Sequence, residues 1–488
     1  MSDSDKICVI DVGSSSIRVS VIDSNFNFVK IYATAFLPTT DADGVVEFEP
    51  TELRTKVLEL CNNAIIDYGV PKGIGICNQR ASAIVWDRST GDPVFKGISW
   101  QDLRTVGECL ALQNENFRLA PNVSASKFAY VLNQNPALRD EDLCVGTIDS
   151  YVVYCLSHEN NSKTGTHITD ASNVALSGLV HANPFEWNSD LLKRLDIPRH
   201  MLPVVTDSVG ELAVASNLKG SPPILAILGD QQASLIGQSC VVAGDTKATF
   251  GTGSMLDQVI ESKPSIYGQS SNGTIPVVAW ATNGKLTWGL EAVMLSAGSN
   301  IQWLKDNLKL ISTVEDANSV TCDYSQSSDV YFVPGLSGIG TPNWDFGATG
   351  AFFGLSLATD KNKIIVAVLD GIANMAADMR DAMIKDSKLL IETLKVDGKM
   401  VQNKVFCQLL ANACEIPIEV SGVAEATTLG VAYLVYLQLG YLKSFSDIQS
   451  LYKPSQIIEP NGHSTREKWA EAKKRALKWI PELSEISF

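Results

Sequence analysis

Two short β-rich runs joined by a tight turn lie near the start of the chain, in the stretch ICVIDVGSSSIRVSVID from Ile7 to Asp23. Runs of this composition around a short glycine-containing turn predict a β-hairpin. A plain hairpin favours Asn-Gly or Asp-Gly at its turn, whereas here Gly13 is followed by Ser14, Ser15 and Ser16. Glycine permits close approach of the backbone to a ligand, and successive N–H and hydroxyl groups suit anionic oxygens. The turn is therefore a candidate phosphate-binding loop, and an ordinary exposed hairpin is the alternative.

An acidic residue lies immediately before this turn. Asp11 stands where the first β-rich run ends, and its carboxylate would repel a phosphate unless a cation lay between them. Mg²⁺ is commonly bound through one or two carboxylates together with phosphate oxygens and water. The stretch therefore predicts a Mg²⁺ site at Asp11.

The same arrangement occurs a second time, in KATFGTGSML from Lys247 to Leu256. Two similar hairpins, one near the start of each half, indicate a duplicated architecture. Further β-rich runs occur between them, and helical or continuously apolar segments follow these runs, which predicts a mixed α/β fold. We place the domain boundary just before the second hairpin, which divides the chain into residues 1–243 and 244–488 with a shared cleft.

Charge and composition restrict the partners. The 488 residues carry a net charge of −15, so the chain has no overall attraction to nucleic acid or to an anionic membrane. No apolar run approaches the length of about 18 residues that predicts a membrane span. The N-terminal MSDSDK has no apolar leader, and the 10 cysteines include no C-x-x-C pair. We therefore expect a cytoplasmic protein with buried, reduced thiols and a small-molecule substrate; a homodimer is left open.

Six stretches, in order along the chain, resemble the FGGY family of carbohydrate kinases, and within it the glycerol kinases. They cover almost the whole length and are Ile7–Asp23, Gly75–Thr105, Leu228–Gln238, Phe250–Ser254, Tyr331–Leu355 and Val396–Asn403. Several of these stretches are most similar in sequence to a divergent branch of the glycerol kinases. The resemblance implies two ribonuclease-H-like (actin-like ATPase) domains closing over an interdomain cleft. It also implies transfer of the γ-phosphoryl group of ATP to a hydroxyl of glycerol or of a related polyol or sugar.

The resemblance also implies a role for each matching residue. Asp230 follows the apolar run ILAILG and so ends a strand, where it would accept the proton of the substrate hydroxyl as general base. Asp11 would hold Mg²⁺ through water. The implied substrate contacts are Arg80, Trp100, Asp230 and Gln231. The implied ATP contacts are Gly13, Ser14, Ser15, Ser16, Arg18, Thr252, Gly253, Gly298, Gln302 and Asn403.

Five positions depart from the glycerol kinase pattern, and one of them is Thr349, which replaces an arginine in the stretch Tyr331–Leu355. Ala81 stands where a glutamate would follow Arg80, Asn122 replaces a tyrosine, and Met255 replaces a phenylalanine. Lys399 replaces the second of two adjacent glycines in the adenosine loop. Loss of a carboxylate that accepts hydrogen bonds from the polyol hydroxyls predicts poor use of glycerol and a larger, less polar pocket. Two other interpretations stay open: a nucleotide-binding pseudokinase with a regulatory role, and an actin-like or chaperone-type ATPase without a small substrate.

Overall fold

The structure is a computed structural model that describes residues 5–41, 44–159, 165–264, 268–324 and 329–486. The first four residues, part of the stretch in which we expect no apolar leader, lie outside these ranges. The strands of the first half are β1 (Ile7–Val12), β2 (Ser16–Ile22), β3 (Phe28–Ala35), β4 (Thr39–Thr40), β5 (Val46–Phe48), β6 (Ile74–Asn78), β7 (Ile84–Asp87), β8 (Gly97–Ile98), β9 (Leu143–Gly146), β10 (Ile168–Asp170), β11 (Val204–Thr206), β12 (Val209–Val214) and β13 (Pro223–Gly229). Those of the second half are β14 (Thr246–Phe250), β15 (Ser254–Ile260), β16 (Ile275–Thr282), β17 (Lys285–Met294), β18 (Tyr331–Val333), β19 (Ala351–Phe353), β20 (Leu394–Asp397), β21 (Ile418–Ser421) and β22 (Pro454–Ile458).

Helices occur in both halves. Those of the first half are α1 (Pro50–Tyr68), α2 (Val106–Asn114), α3 (Ser124–Gln134), α4 (Ile148–Ser157), α5 (Ala171–Val174), α6 (Ser189–Leu195) and α7 (Asp230–Gly237). Those of the second half are α8 (Gly298–Asp306), α9 (Lys361–Ser387), α10 (Lys404–Cys414), α11 (Ala426–Gln438), α12 (Phe445–Ser450), α13 (Arg466–Ala476) and α14 (Pro481–Ser484). Short 3₁₀ turns span Pro136–Asp140, Arg199–Met201, Val314–Ser319 and Lys399–Gln402.

Each half is built on one large mixed sheet, which we call the N-terminal sheet (order β12-β13-β6-β1-β2-β3) and the C-terminal sheet (order β16-β17-β15-β14-β20-β21-β22). Each sheet contains an antiparallel hairpin, β1–β2 or β14–β15. Two strands then add in parallel on the same side, β6 and β13 in the first sheet and β20 and β21 in the second. The repeated strand order agrees with the duplication predicted from the two hairpin sequences.

The central strand β1 is buried on both faces, because helices cover both sides of the N-terminal sheet. Cys8, Ile10 and Val12 pack with residues of α1 and α4, whereas Ile7 and Val9 pack with residues of α7 and α11. This alternation is the period of two expected for a strand. It explains why the run ICVIDV is almost wholly apolar: both sets of side chains face a core.

Helix α11 joins the two halves, because it comes from the second half of the chain and packs against β1, β6 and β13. The approach is close: a Cβ atom added to Gly75 would lie 2.3 Å from Cγ1 of Val431. The two sheets are thus separate, but one of the cores that cover the N-terminal sheet is shared by both halves. The domain ranges 1–243 and 244–488 stay a prediction.

The helices α7 and α11 cross at two glycines. A Cβ atom on Gly430 would lie 1.9 Å from the carbonyl oxygen of Ala233, and one on Gly237 would lie 1.8 Å from the carbonyl oxygen of Ala426. Neither site has room for a side chain, so the two backbones are in direct contact. Since α7 begins at Asp230, this crossing determines where that carboxylate lies.

Two further expectations concern the whole chain. Within the described residues, no helix combines the length and the apolar character needed to cross a bilayer. All ten cysteines are described, all are free thiols, and nine of them are buried. The thiols therefore agree with the prediction of buried, unpaired cysteines.

Candidate active site

The carboxyl ends of β1, β6 and β13 meet at one edge of the N-terminal sheet. Asn78, the last residue of β6, lies beside Val12 on one side and Gly229 on the other. In open α/β sheets this edge is where ligands bind. The register brings Asp11, next to the end of β1, and Asp230, directly after β13, to the same place, close enough for the charge of Asp230 to raise the pKa of Asp11.

Asp230 is the first residue of α7 and its side chain is 31% exposed. Its Oδ1 accepts a hydrogen bond from the backbone N–H of Gln231 at 2.8 Å and lies 3.4 Å from Nε of Arg80. Burial raises the pKa of Asp230, while the positive charge of Arg80 and the Gln231 hydrogen bond act in the opposite direction. The result is a partly accessible carboxylate with raised basicity, as proton abstraction requires.

A buried polar turn holds the strand end that precedes Asp230. The backbone N–H of Gly229 donates to Oγ of Ser172 at 3.0 Å. Ser172 lies in α5, where Asp170 is the N-cap and accepts from the backbone N–H groups of Ser172 and Asn173. Asn173 in turn accepts from the side chain of Asn78 at 2.9 Å. Asp170, Ser172 and Asn173 were not predicted from the sequence, because a hydroxyl that supports a distant strand end has no local pattern.

The first hairpin carries Asp11 and the serine turn. The N–H of Gly13 donates to the carbonyl oxygen of Ser16 at 3.0 Å, which closes the turn, and Ser15 lies exposed at its tip. Burial raises the pKa of Asp11 to about 7, and Arg18, whose Nη1 lies 3.7 Å from Oδ2 of Asp11, partly opposes this. Arg18 also forms an ion pair with Glu425, the residue before α11. Glu425 is a further residue that sequence reasoning missed.

The predicted substrate contacts are brought to the same region. Nε1 of Trp100 donates to Oγ of Ser14 at 3.2 Å, which joins the substrate side to the first hairpin. Arg80 lies beside Asp230, as above, and its Nη2 is 2.8 Å from Oε2 of Glu291 on β17. Gln231 follows Asp230 in α7 and is half-buried. All four predicted contacts, Arg80, Trp100, Asp230 and Gln231, thus lie near the carboxyl edge of the N-terminal sheet.

The second hairpin and α8 form the opposite wall. The N–H of Gly251 donates to the carbonyl oxygen of Gly253 at 2.9 Å, and Thr252 is exposed at the tip. The N–H of Gly298, the first residue of α8, donates to the carbonyl oxygen of Gly251 at 2.9 Å. Gln302 lies one turn further along α8 and is exposed, with its amide donating to Asp306 at 2.5 Å. Thr252, Gly253 and Gly298 therefore lie together, with Gln302 at the solvent side.

The loop Val396–Asn403, for which the resemblance implies contact with adenosine, passes over this hairpin. Gly398 has a φ of 97°, and a Cβ atom there would lie 2.3 Å from the carbonyl oxygen of Phe250. Lys399 is exposed and does not adopt a positive φ, so the backbone at this position does not require glycine. Asn403 caps α10: its Oδ1 accepts from the N–H of Phe406 at 3.0 Å and its Nδ2 donates to the carbonyl oxygen of Ala317 at 2.9 Å. Contact of Asn403 with adenine stays a prediction.

Three more of the positions that depart from the glycerol kinase pattern differ in their burial. Ala81 directly follows Arg80, is buried and has a φ of 62°. Met255 is half-buried on β15, opposite Val293. The side chain of Asn122 is exposed before α3, and its backbone oxygen accepts from Lys127 at 2.9 Å.

Comparison with known proteins identifies the family. Residues 6–237 match the N-terminal domain of the FGGY family of carbohydrate kinases, and residues 246–439 match its C-terminal domain. A relative from Thermotoga maritima named glycerol kinase 2 is 33% identical, with 96% of this chain and 98% of that protein covered. The chain belongs to the FGGY family of carbohydrate kinases. The glycerol kinase of Ectopseudomonas mendocina is also similar, with 34% identity over 96% of this chain and 98% of that protein.

The fold of this FGGY chain has a counterpart among solved structures. The crystal structure of Plasmodium falciparum glycerol kinase with ADP superposes with a TM-score of 0.86 at 26% identity, and 99% of each chain is covered. The predicted fold of two ribonuclease-H-like domains around an interdomain cleft is thereby confirmed. So is the predicted enzyme class, an ATP-dependent phosphotransferase of sugars and polyols, and the pseudokinase interpretation is not favoured. The branch of the glycerol kinases to which the chain is nearest stays a prediction.

Proposed function

We propose that this FGGY kinase phosphorylates a hydroxyl of glycerol or of another uncharged polyol or sugar, with Asp230 as the general base. The observation that carries the proposal is the position of Asp230, at the end of a buried strand beside Arg80 and in the electrostatic range of Asp11. A phosphoryl transfer needs positioned phosphates, charge neutralisation and a base for the attacking hydroxyl. The two hairpins would position the phosphates. Asp11 would hold the ion that neutralises their charge, and Asp230 would be the base.

Each residue of the site has a separate role in the proposed reaction. Asp230 takes the proton of the attacking hydroxyl, while Arg80 and Gln231 donate hydrogen bonds to other oxygens of the acceptor. The turns at Gly13 and Gly253 bring backbone N–H groups and small side chains to the phosphates. Closure of the cleft excludes water, so that the phosphoryl group passes to the acceptor hydroxyl rather than to water.

Asp11 fits a magnesium ion. It is a buried carboxylate whose ion-pair partner Arg18 is 3.7 Å away, so its oxygens are not closed by a tight ion pair and stay available to a hydrated cation. Burial raises the pKa of Asp11, and Arg18 only partly opposes this, so a divalent cation would stabilise the ionised carboxylate. When bound, Mg²⁺ would neutralise the charge on the transferred phosphates.

The charges around the acceptor favour a neutral molecule. Two cations, Arg80 and Lys247, are paired with three carboxylates, those of Asp230, Glu291 and Asp257. The site therefore has no surplus of positive charge with which to hold an anionic acceptor, and a sugar acid would be repelled. Its donors and acceptors instead suit hydroxyl groups. Ala81 supplies no carboxylate to accept from the hydroxyl groups of glycerol, and the carboxylate of Glu291 is paired with Arg80, so we expect glycerol to be a poor substrate compared with a larger polyol or sugar.

A screen for ATP consumption across polyols and sugars tests this function. D-glucitol and D-gluconate form a matched pair of equal chain length, and only the neutral member of such pairs is expected to be phosphorylated. Turnover of gluconate in preference to glucitol would refute the charge argument. Binding of ATP without turnover of any acceptor would refute the proposed function and favour the pseudokinase interpretation.

We predict that ATP binding depends on Mg²⁺ and that Asp11→Asn removes this dependence. The asparagine is isosteric but holds a hydrated cation weakly, because it lacks the carboxylate charge. Calorimetric titration of ATP with and without Mg²⁺ should show binding to the wild type weakened about tenfold or more when the ion is omitted, which corresponds to the loss of one charged contact. The same omission should have little effect on the Asp11→Asn variant. An unchanged Mg²⁺ dependence in that variant would show that another residue holds the ion.

The domain ranges 1–243 and 244–488 and the cytoplasmic location also remain predictions of this proposal. Whether the chain forms a homodimer is left open, and sedimentation of the purified protein would decide it.

A further inference from the structure

Two buried side chains of the C-terminal sheet reach the substrate-facing residues of the N-terminal half. Glu291 on β17 is 5% exposed, and Lys247 on β14 is 0% exposed. Oε2 of Glu291 lies 2.8 Å from Nη2 of Arg80, and Nζ of Lys247 lies 2.6 Å from Oε1 of Gln231. Both contacts cross between the two halves of the kinase, and neither Glu291 nor Lys247 was among the predicted site residues.

Arg80 lies between two carboxylates that compete for it. Its Nη2 is 2.8 Å from Glu291, whereas its Nε is 3.4 Å from Oδ1 of Asp230. A guanidinium can form a bidentate pair with one carboxylate and then occupies both of its oxygens. Such a pair with Asp230 would block the oxygen that has to accept the substrate proton. Because Glu291 is the nearer partner, it keeps Arg80 from closing onto the base.

Lys247 determines how the side-chain amide of Gln231 is oriented. An ammonium group has only donors, so the Gln231 atom that faces it is the carbonyl oxygen. The same Nζ donates to Oγ1 of Thr249 at 3.1 Å and forms an ion pair with Asp257, whose Oδ2 lies 2.7 Å away. With its oxygen bound in this way, the amide of Gln231 has its NH₂ group left over as a donor for an acceptor oxygen.

We propose that Glu291 and Lys247 are positioning residues for the acceptor site: Glu291 holds Arg80 off the carboxylate of Asp230, and Lys247 orients the amide of Gln231 so that its NH₂ group serves the acceptor. The inference deepens the proposed function and rests on it for its kinetic consequences. It implies that the first half of the chain carries the substrate-facing side chains, whereas the second half sets their orientation. The acceptor site is then complete only when the two sheets are in their closed arrangement.

The Glu291→Gln variant tests the first contact. We expect the KM of the best neutral acceptor to rise about tenfold, in line with the loss of one charged hydrogen bond, while the KM for ATP stays within about twofold, since the nucleotide is not contacted. If Glu291 acts through Arg80, the same substitution in an Arg80→Met background should not raise the acceptor KM further. Additive effects of the two substitutions on KM, or equal effects on both substrates, would overturn the inference.

The Lys247→Met/Asp257→Leu double variant tests the second contact without leaving a buried charge unpaired. We expect its acceptor KM to rise about tenfold, because the Gln231 amide is free to turn. Lys395→Met is the matched control: Lys395 is another lysine of the C-terminal sheet that reaches the end of α7, where it donates to the carbonyl oxygens of Gln238 and Ser239. It should lower the melting temperature without raising the acceptor KM. A similar rise in KM for both variants would show that general loosening of α7 is responsible.

A crystal structure of the Glu291→Gln variant decides the inference even if the wild type phosphorylates no acceptor in the screen. Arg80 is expected to have moved onto Asp230 as a bidentate pair. An Arg80 that keeps its place beside residue 291 would overturn the inference regarding Glu291, whatever the kinetics. Absence of turnover by the wild type, with Arg80 displaced in the variant, would count against the proposed function alone.

Discussion

Replacing Asp230 with asparagine is expected to lower kcat by about 10²–10⁴-fold, the usual contribution of a positioned general base. Asparagine has nearly the same shape and its oxygen can still accept from the backbone N–H of Gln231, as Asp230 does at 2.8 Å. It cannot take a proton from the substrate hydroxyl. Acceptor binding should therefore change by only a few-fold, since Glu291 still holds Arg80 in place. The measurement is kcat from a coupled ATP assay, together with the acceptor Kd from calorimetry.

A control for Asp230→Asn is Asp170→Asn, which alters a buried carboxylate that is not among the proposed acceptor contacts. Asp170 binds Ser172, which in turn binds the strand end before Asp230. That variant should lose stability more than rate. If the Asp230→Asn enzyme turned over at the wild-type rate, another group would be the base, and the position of Asp230 at the strand end would need a different explanation.

The pH dependence of kcat/KM should report the same carboxylate. Burial raises the pKa of Asp230, and Arg80 only partly opposes this. The base acts only when it is unprotonated, so activity should fall as the pH falls through this raised pKa, at a higher pH than the ordinary value of about 3.9 predicts. A rate profile of the wild type against pH, with the residual activity of Asp230→Asn lacking the acid limb, would confirm the assignment. An acid limb retained in the variant would assign it to another group.

The second large effect is expected at the crossing of α7 and α11. Gly430→Val should lower the free energy of unfolding by about 3 kcal/mol, at the upper end for overpacking, because its Cβ would lie 1.9 Å from the backbone oxygen of Ala233. A backbone oxygen cannot turn aside as a flexible side chain can, so the two helices must separate. Since α7 begins at Asp230, protein that stays folded should also lose kcat. Urea denaturation and kinetics of the folded fraction measure the two effects.

Gly107→Ala is the matched control for that substitution. Gly107 lies within α2, where an added Cβ would have no neighbour within 4 Å. Alanine is the better helix former, so the control is expected to be neutral or to stabilise the protein by about 0.5–1 kcal/mol. If Gly430→Val were tolerated as well as Gly107→Ala, the helices α7 and α11 would not be in backbone contact in solution.

Local patterns in the sequence were sufficient for the strand ends and the hairpins. The run ILAILG predicts that Asp230 follows a buried strand, and the structure has β13 end at Gly229. The small residues after β1 and β14 predict turns, which the structure shows. These features depend on residues adjacent in the chain, so a period of two and a glycine are enough to predict them. The resemblance to the FGGY family then predicted which strand ends face each other.

No local sequence pattern predicted the contacts across the cleft. Arg18 and Glu425 are 407 residues apart in the chain, and Glu291 lies in a run, TWGLEAVM, that indicates only a strand. The local sequence does not show whether a glutamate is buried or exposed, because its burial depends on the residues that pack around it in the folded protein. The interpretation of Ala81 illustrates this. The sequence shows that the residue after Arg80 is no carboxylate, but not that a carboxylate reaches Arg80 from another sheet.

The sequence by itself determined the two-hairpin architecture, the strand-end positions of Asp11 and Asp230, and the acidic, reduced character of the chain, because each is a property of composition or of neighbouring residues. Only the tertiary structure decided that α11 covers the N-terminal sheet and that Glu291 and Lys247 contact Arg80 and Gln231. Those contacts depend on how two sheets are placed relative to each other. That placement is set by the close packing of whole surfaces such as the glycine crossing of α7 and α11, and no short stretch of sequence contains it.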